Sequence, residues 1–299
     1  MTMLIPDARR GLLGGLVDDA TLLGDSAPDV GSAVAAYRML RTGTHGWMVG
    51  RLVVPASLLE DLAGVLIRTM AAGDSPIPIA AVFDDHIASD ASKASAFHAT
   101  MDPAARIEVV RLAAGNERSS GAVVEAASAT RGIHHDVLPM MALALTENAA
   151  SIVRAIGAAK EAVLHSVGAV VVLPTDTTDA PSIASSIRVC VEAMVPLTFQ
   201  AEWFPASTLI DRSTGHIRVG AMNLLAAVLQ ADATDADTAS ILSDDEPGVH
   251  TIGFAGLAQH GTTIRTGRST GADRSPLISL AALQPAATLE ALGGLDLSA

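Results

Sequence analysis

The sequence contains little cysteine and few aromatic residues. A single cysteine, Cys190, excludes an internal disulfide and any zinc site built from several cysteines. It lies in the apolar, helix-like segment SIASSIRVCVEAM, so we expect a small core residue rather than a nucleophile. Hydrophobic residues make up 49% of the chain and aromatic residues only 3%, which predicts a core of Ala, Val, Leu and Ile.

Long apolar runs and positive charge are also missing. No run of about 18 apolar residues occurs, so we expect no membrane-spanning helix. The opening MTMLIPDARRGLLGGLVDDA does not follow the order of a secretory signal, and we expect a soluble, cytoplasmic protein. With 19 Lys and Arg against 32 Asp and Glu, the net charge of −13 argues against a nucleic-acid partner.

The middle of the chain alternates short apolar runs with segments of helical periodicity. This alternation predicts βαβ units and a parallel sheet, and the continuous apolar runs predict strands that are buried on both faces. Six units before residue 205, with length for two more, favour a (β/α)-barrel; an open, doubly wound sheet is the alternative. The predicted strands are residues 51–56, 77–83, 106–114, 137–145, 168–175 and 197–204.

We expect one domain over residues 1–299. It would comprise a helical lead-in (1–46), βα units (47–220) and a helical or irregular closing segment (221–299). The closing segment is predicted to hold a helix or broken helix pair over 221–242, a Gly-interrupted hairpin over 248–269, and a final helix interrupted at Pro285. The Ala-rich helices favour close packing and a homodimer.

Candidate site residues follow the predicted strands, because function in parallel α/β folds gathers at the carboxyl ends of the strands. The candidate acid/base residues are Asp84, Asp85, His86, Glu147, Asp176 and Glu202, of which Asp84, Glu147 and Glu202 are also candidate metal ligands; the candidate substrate-binding residues are Arg111, Ser57 and Trp203. Converging carboxylates repel each other unless a cation lies among them, and oxygen ligands suit Mg²⁺ or Mn²⁺. No Gly-x-Gly-x-x-Gly turn or P-loop is present, so no NAD or ATP site is predicted.

Each candidate also has a structural explanation. Acids and serines after strands often cap the next helix, and SLLE at Ser57 has the spacing of a capping box. Arg111 lies within an apolar strand and needs a carboxylate or an anionic ligand; because Glu108 is predicted on the other face, Arg111 is a candidate anion clamp. The IHHD segment at 133–136 looks like a metal motif, but it precedes its strand and so belongs to the opposite, stability-related face of the barrel. If the strand began there, the two adjacent histidines would point in opposite directions.

Part of the chain resembles a family of uncharacterised bacterial proteins of about 300 residues. The segment LVDDATLLGDSAPDVGSAVAAYRMLRTGTHGWMVGRLVVPASLLEDL (16–62) is similar to their amino-terminal part, in which Asp-Asp-Ala precedes an AVAAHR-like helix and a VGPFVVPASRLEEL-like strand and turn. GAMNLLAAVL (220–229) is similar to their HGFLNVLLAA-like helix. The family pattern has His-His-Pro after the sixth strand and a His before that helix, where this chain has AEWFPAS and Val219. The resemblance therefore implies a diverged or inactive member, and it marks Asp18 and Asp19 as positions of interest.

Two functions fit these observations. The leading one is a barrel enzyme that acts on a small polar or anionic metabolite with the help of a divalent metal. The alternative is a non-catalytic barrel that serves as a binding or oligomeric scaffold. Acids that converge in a deep pocket would favour the enzyme, and acids that point outward as helix caps would favour the scaffold.

Overall fold

Eight parallel strands close into a barrel, which confirms the predicted (β/α)-barrel and excludes the open sheet. The structure is a computed structural model, and it describes residues 7–71, 73–84, 86–112, 120–143, 157, 161, 167–174, 179–230, 234–245, 250–253, 256–259, 262–263 and 277–294. The barrel strands are β1 (Val17–Asp19), β2 (Val49–Pro55), β3 (Ile77–Phe83), β4 (Ala105–Leu112), β5 (Leu138–Leu143), β6 (Gly168–Val172), β7 (Leu197–Ala201) and β13 (Leu277–Ala282). Their order around the barrel is β1, β13, β7, β6, β5, β4, β3, β2.

Helices alternate with the strands and pack against the outside of the barrel. The described helices are α1 (Asp7–Leu13), α2 (Val30–Thr42), α3 (Leu59–Thr69), α4 (Ile87–Met101), α5 (Ser120–Arg131), α6 (Ala180–Glu192), α7 (Ala221–Leu229), α8 (Asp235–Leu242) and α9 (Pro285–Gly293). Several begin at a polar cap: Asp29 accepts the Ser32 N–H, and Asp179 accepts the Ser182 N–H, each at 3.0 Å. No helix in the described part of the chain is both long and apolar enough to cross a bilayer.

Alternate residues of the strands build two separate apolar layers. The outward side chains pack under the helices in the main core, with Cys190 buried there as predicted. The inward side chains form a second cluster inside the barrel, made of Ala20, Val53, Ala80, Val109, Met140, Val170 and Ala281. Three of these seven are alanines, so the barrel interior is filled without aromatic rings.

The loop after β7 is held by the buried helix α7. The side-chain amide of Asn223 accepts the Thr208 N–H at 2.9 Å and donates to the carbonyl oxygens of Ile241 and Asp244 at 2.7 and 2.9 Å. The Thr208 hydroxyl donates to the Leu242 carbonyl at 2.7 Å. These bonds tie the loop to α7 and α8, and so fix the chain that follows the carboxyl end of β7.

Two expectations about the chain ends were wrong. The lead-in contains β1, and the segment expected to be a closing helix contains β13, which pairs with both β1 and β7 to close the barrel. The hairpin expected at 248–269 is present in the described residues as the antiparallel strands β10 (His250–Gly253), β11 (Gly256–Gln259) and β12 (Thr262–Thr263). A further hairpin joins β8 (Leu209–Asp211) and β9 (His216–Arg218).

Candidate functional site

A groove of about 440 Å³ opens at the carboxyl ends of four neighbouring strands, β1, β13, β7 and β6. Such a volume lies within the range of roughly 300–1,000 Å³ that is usual for small-molecule sites. Its lining combines apolar side chains with carboxylate, amide and hydroxyl groups. The described lining residues are Thr21, Gly24, Asp25, Ser26, Val172, Leu173, Pro174, Gln200, Ala201, Glu202, Leu283 and Gln284.

Glu202 is the predicted site residue that lines this groove. It directly follows β7 and is half-buried, and its Oε1 accepts a hydrogen bond from Gln284 Nε2 at 2.8 Å. A backbone hydrogen bond joins the same two residues, since the Gln284 N–H donates to the Glu202 carbonyl at 2.7 Å. Two chain segments 82 residues apart therefore hold the carboxylate in one orientation at the rim.

Trp203 lies beside this carboxylate, as expected for a residue at the same strand end. It lines a small cleft together with Glu202 and Arg218, next to the main groove. The Arg218 guanidinium lies 5.2 Å from the centre of the Trp203 ring, which is within the range of a cation–π contact. The indole is thus packed against a cation at the edge of the groove.

A second polar cluster lies inside the barrel, around Asp18 of β1. This carboxylate is fully buried and accepts hydrogen bonds from Arg111 Nη2 at 2.5 Å, from the Ser279 hydroxyl at 2.6 Å and from the Arg51 N–H at 2.7 Å. The Arg51 side chain also forms an ion pair with Glu108, with Nε 3.0 Å from the carboxylate. Gly50 makes the close approach possible, since a Cβ there would meet the Asp18 carboxylate and the Gly15 carbonyl.

Arg111 therefore obtains the carboxylate that a buried arginine requires, from Asp18 and not from Glu108. Its side chain is 3% exposed, and Nε and Nη1 are buried without a hydrogen-bond partner among the described residues. Burial lowers the pKa of Arg111 from its usual value, and the Asp18 carboxylate opposes this shift. The role of Arg111 as an anion clamp stays a prediction, and the Asp18 carboxylate already serves as its counter-ion inside the barrel.

Asp84, His86 and Ser57 lie exposed at the ends of β3 and β2. Asp84 follows β3, which is four strands away from β7 in either direction around the barrel, and its N–H donates to Asp90 Oδ2 at 2.9 Å. His86 precedes α4 and makes no capping hydrogen bond. The capping box expected at Ser57 is wrong, because that residue lies in a 3₁₀ turn (Ala56–Leu58) and the N-cap of α3 is Leu58, without a side-chain bond.

Three predicted residues, Asp85, Glu147 and Asp176, lie outside the described residues. Sequence reasoning missed Gln200 and Gln284 as groove residues, since neutral amides give no signal of their own. It also did not identify Asp18 as the centre of the interior cluster, although the resemblance had marked that position. The partners that explain Asp18 come from β2, β4 and β13, which are far apart in the sequence.

A group of metal-ligating side chains lies at the opposite, amino-terminal end of the barrel. His134, His135 and Asp136 occupy the turn before β5, as the sequence placed them. Because β5 begins only at Leu138, both histidines lie in the turn, and the opposite directions expected if the strand began at them do not apply. Nearby, burial and the neighbouring His134 lower the pKa of His98.

Comparisons with known proteins add no relative: no protein-family model, no curated protein and no solved structure matches this chain. The class of the protein is therefore defined by its fold alone, an eight-stranded parallel (β/α)-barrel with a groove at the carboxyl ends of its strands.

Proposed function

We propose that the chain is a barrel enzyme that binds a small polar metabolite in the mouth groove, with Glu202 as the acid/base residue. The observation that carries the proposal is the position of Glu202, half-buried at the carboxyl end of β7 and oriented by Gln284 at the rim of the groove. Barrel enzymes use side chains at the carboxyl ends of their strands, on a mouth whose loops differ from one enzyme to another.

The charges of the described rim favour a ligand that donates hydrogen bonds. Asp25 and Glu202 supply two carboxylates, Gln200 and Gln284 supply amides, and the described lining includes no lysine or arginine. A sugar-like polyol or an amine fits such a rim better than an anion does, because Arg111 is engaged with Asp18 inside the barrel. The carboxylates also suit a divalent cation such as Mg²⁺ or Mn²⁺.

The test is thermal unfolding of the metal-stripped protein with polyols, sugars, amines, Mg²⁺ and Mn²⁺. A ligand that binds only the native state stabilises it by about 2.7 kcal/mol at a hundredfold excess over Kd. We expect a rise in Tm that is lost in Glu202→Gln and kept in Glu192→Gln, an exposed control at the end of α6. A ligand-induced rise that survives unchanged in Glu202→Gln would contradict the proposal.

Conversion of that ligand separates an enzyme from a binding scaffold, because the scaffold would bind it through Glu202 and leave it unchanged. We also propose that the chain belongs to the bacterial family that its first part resembles. This proposal rests on the resemblance of residues 16–62 and 220–229, within which Asp18 and Asn223 are both fully buried and hydrogen-bonded. The homodimer and the cytoplasmic location stay predictions.

A further inference from the structure

Three metal-ligating side chains converge in the turn between α5 and β5. The rings of His134 and His135 have centroids 4.1 Å apart, and one ligand atom each from His134, His135 and Asp136 lies within 4.8 Å of the other two. All three side chains are accessible, at 33%, 76% and 58% exposure. An ion can therefore reach the turn from solvent.

Asp136 lies near both histidines at distances similar to those between ligands of a zinc site, and the set of three ligand atoms lies within 4.8 Å of one another. His135 Nε2 lies 3.2 Å from Asp136 Oδ1, and His134 Nδ1 lies 3.7 Å from Asp136 Oδ2. In a tetrahedral site with bonds of about 2.0–2.1 Å, neighbouring ligand atoms are about 3.3–3.4 Å apart. To surround one ion, the three ligand atoms must come closer together than the 4.8 Å that now bounds them.

A third imidazole and an arginine lie next to the turn. His98 stands beside His134, with ring centroids 5.3 Å apart, and is 7% exposed. Its Nδ1 is buried without a partner in the described part of the chain. The Arg106 guanidinium lies 2.9 Å from Asp136 Oδ2 and pairs with that oxygen. Imidazole nitrogen and carboxylate oxygen are both ligands that Zn²⁺ accepts.

We infer that His134, His135 and Asp136 bind one transition-metal ion of the zinc class, at the end of the barrel opposite the mouth groove. Imidazole nitrogen suits Zn²⁺, Ni²⁺ and Cu²⁺, whereas Mg²⁺ prefers oxygen. Asp136 Oδ1 faces His135 at 3.2 Å, and Oδ2 is shared between Arg106, at 2.9 Å, and His134, at 3.7 Å. The main competing contact is a long 3.3 Å hydrogen bond from the Asp136 N–H to His134 Nδ1, which a metal–nitrogen bond would replace.

Such a site has a structural role rather than a catalytic one. Residues at the amino-terminal face of a barrel contribute to stability. Through Arg106 of β4 and the packing of His98 of α4 against His134, a bound ion would fasten the α5–β5 turn to two neighbouring elements. This inference does not depend on the function proposed for the mouth groove.

The test is titration of the metal-stripped protein with ZnCl₂ by calorimetry, with the Co²⁺ visible spectrum as a report of tetrahedral coordination. We expect one Zn²⁺ per chain, an affinity at least about tenfold weaker in both His135→Gln and Asp136→Asn, and an unchanged affinity in the exposed control His216→Gln. Circular dichroism checks that each variant is folded.

Three results would overturn the inference: no Zn²⁺ binding, an equal loss in the His216→Gln control, or binding that is lost in Glu202→Gln instead. The last result would place the ion at the mouth groove. A failure of the groove proposal, in contrast, would leave Zn²⁺ binding at His134, His135 and Asp136 unaffected.

Discussion

Among single residues, Asp18 depends most on a partner, because its carboxylate is fully buried and has one fully buried counter-ion, Arg111. Asp18→Asn leaves Arg111 as an uncompensated buried charge, and breaking a buried pair in this way costs about 3–5 kcal/mol. We expect that loss in the free energy of unfolding, measured by urea denaturation.

A double-mutant cycle separates this pairing from other effects of the substitution. Arg111→Met removes the charge that Asp18→Asn leaves unpaired, so the double variant should cost clearly less than the sum of the two single variants. Additive losses, or a loss below about 1 kcal/mol in Asp18→Asn alone, would show that the ion pair does not hold the barrel interior together.

The environment of Asp19 predicts that the stability of the protein depends on pH. Burial raises the pKa of Asp19 above its usual value, against the hydrogen bonds that its Oδ1 accepts from the Thr21 N–H and hydroxyl. The folded protein therefore favours the protonated carboxyl, and it loses stability as the pH rises from the unfolded value of 3.8 through the raised folded pKa. Asp19→Asn keeps an oxygen for Thr21 and does not titrate, so it should gain stability relative to the wild type across this window.

The control is Asp29→Asn at the exposed cap of α2. Hydrogen bonds from Ser32 lower the pKa of Asp29, so here the wild type should gain on the variant as the pH rises through that lowered pKa toward 3.8. Urea unfolding between pH 3 and pH 7 measures both trends. Equal slopes for the two variants would contradict the opposite environments of these carboxyls.

At the scale of elements, the sequence predicted β2 to β7 because each is a largely apolar segment of strand length. It missed β1, since three residues that include two acids look like a cap or a turn until Arg111 and Ser279 are known to meet Asp18. It missed β13 because LISLAA lies close to a helical pattern, and Pro285 was interpreted as an interruption. That proline instead begins α9, where its missing N–H costs nothing.

Candidate site residues were likewise predicted where the local sequence was enough and missed where the arrangement of the strands decides. Glu202 was predicted because the carboxyl end of a strand places it at the mouth whatever its neighbours are. Gln200 and Gln284 were missed, because their contribution depends on which strands are adjacent around the barrel. His134 and His135 were predicted to precede their strand, and β5 does begin after them, at Leu138; what the sequence could not show is that the turn brings their rings together.

At the scale of the whole molecule, closure joins parts of the chain that are distant in the sequence. β13 pairs with β1 on one side and with β7 on the other, and Ser279 carries a hydrogen bond to Asp18 across 261 residues. The mouth groove depends on this closure, because Leu283 and Gln284 form part of its lining. Barrel integrity and ligand binding should therefore be lost together.

A chain that ends at residue 276 tests this coupling. Without β13 and α9, the edges of β1 and β7 are left unpaired, and unpaired parallel edges invite aggregation. We expect loss of the cooperative thermal transition and of the near-ultraviolet circular dichroism signal, both measured against a chain that ends at Gly294. The longer chain keeps every described element and should melt like the full protein. A sharp, wild-type-like transition in the shorter chain would mean that seven strands form a stable unit on their own, and that β13 serves the groove rather than the fold.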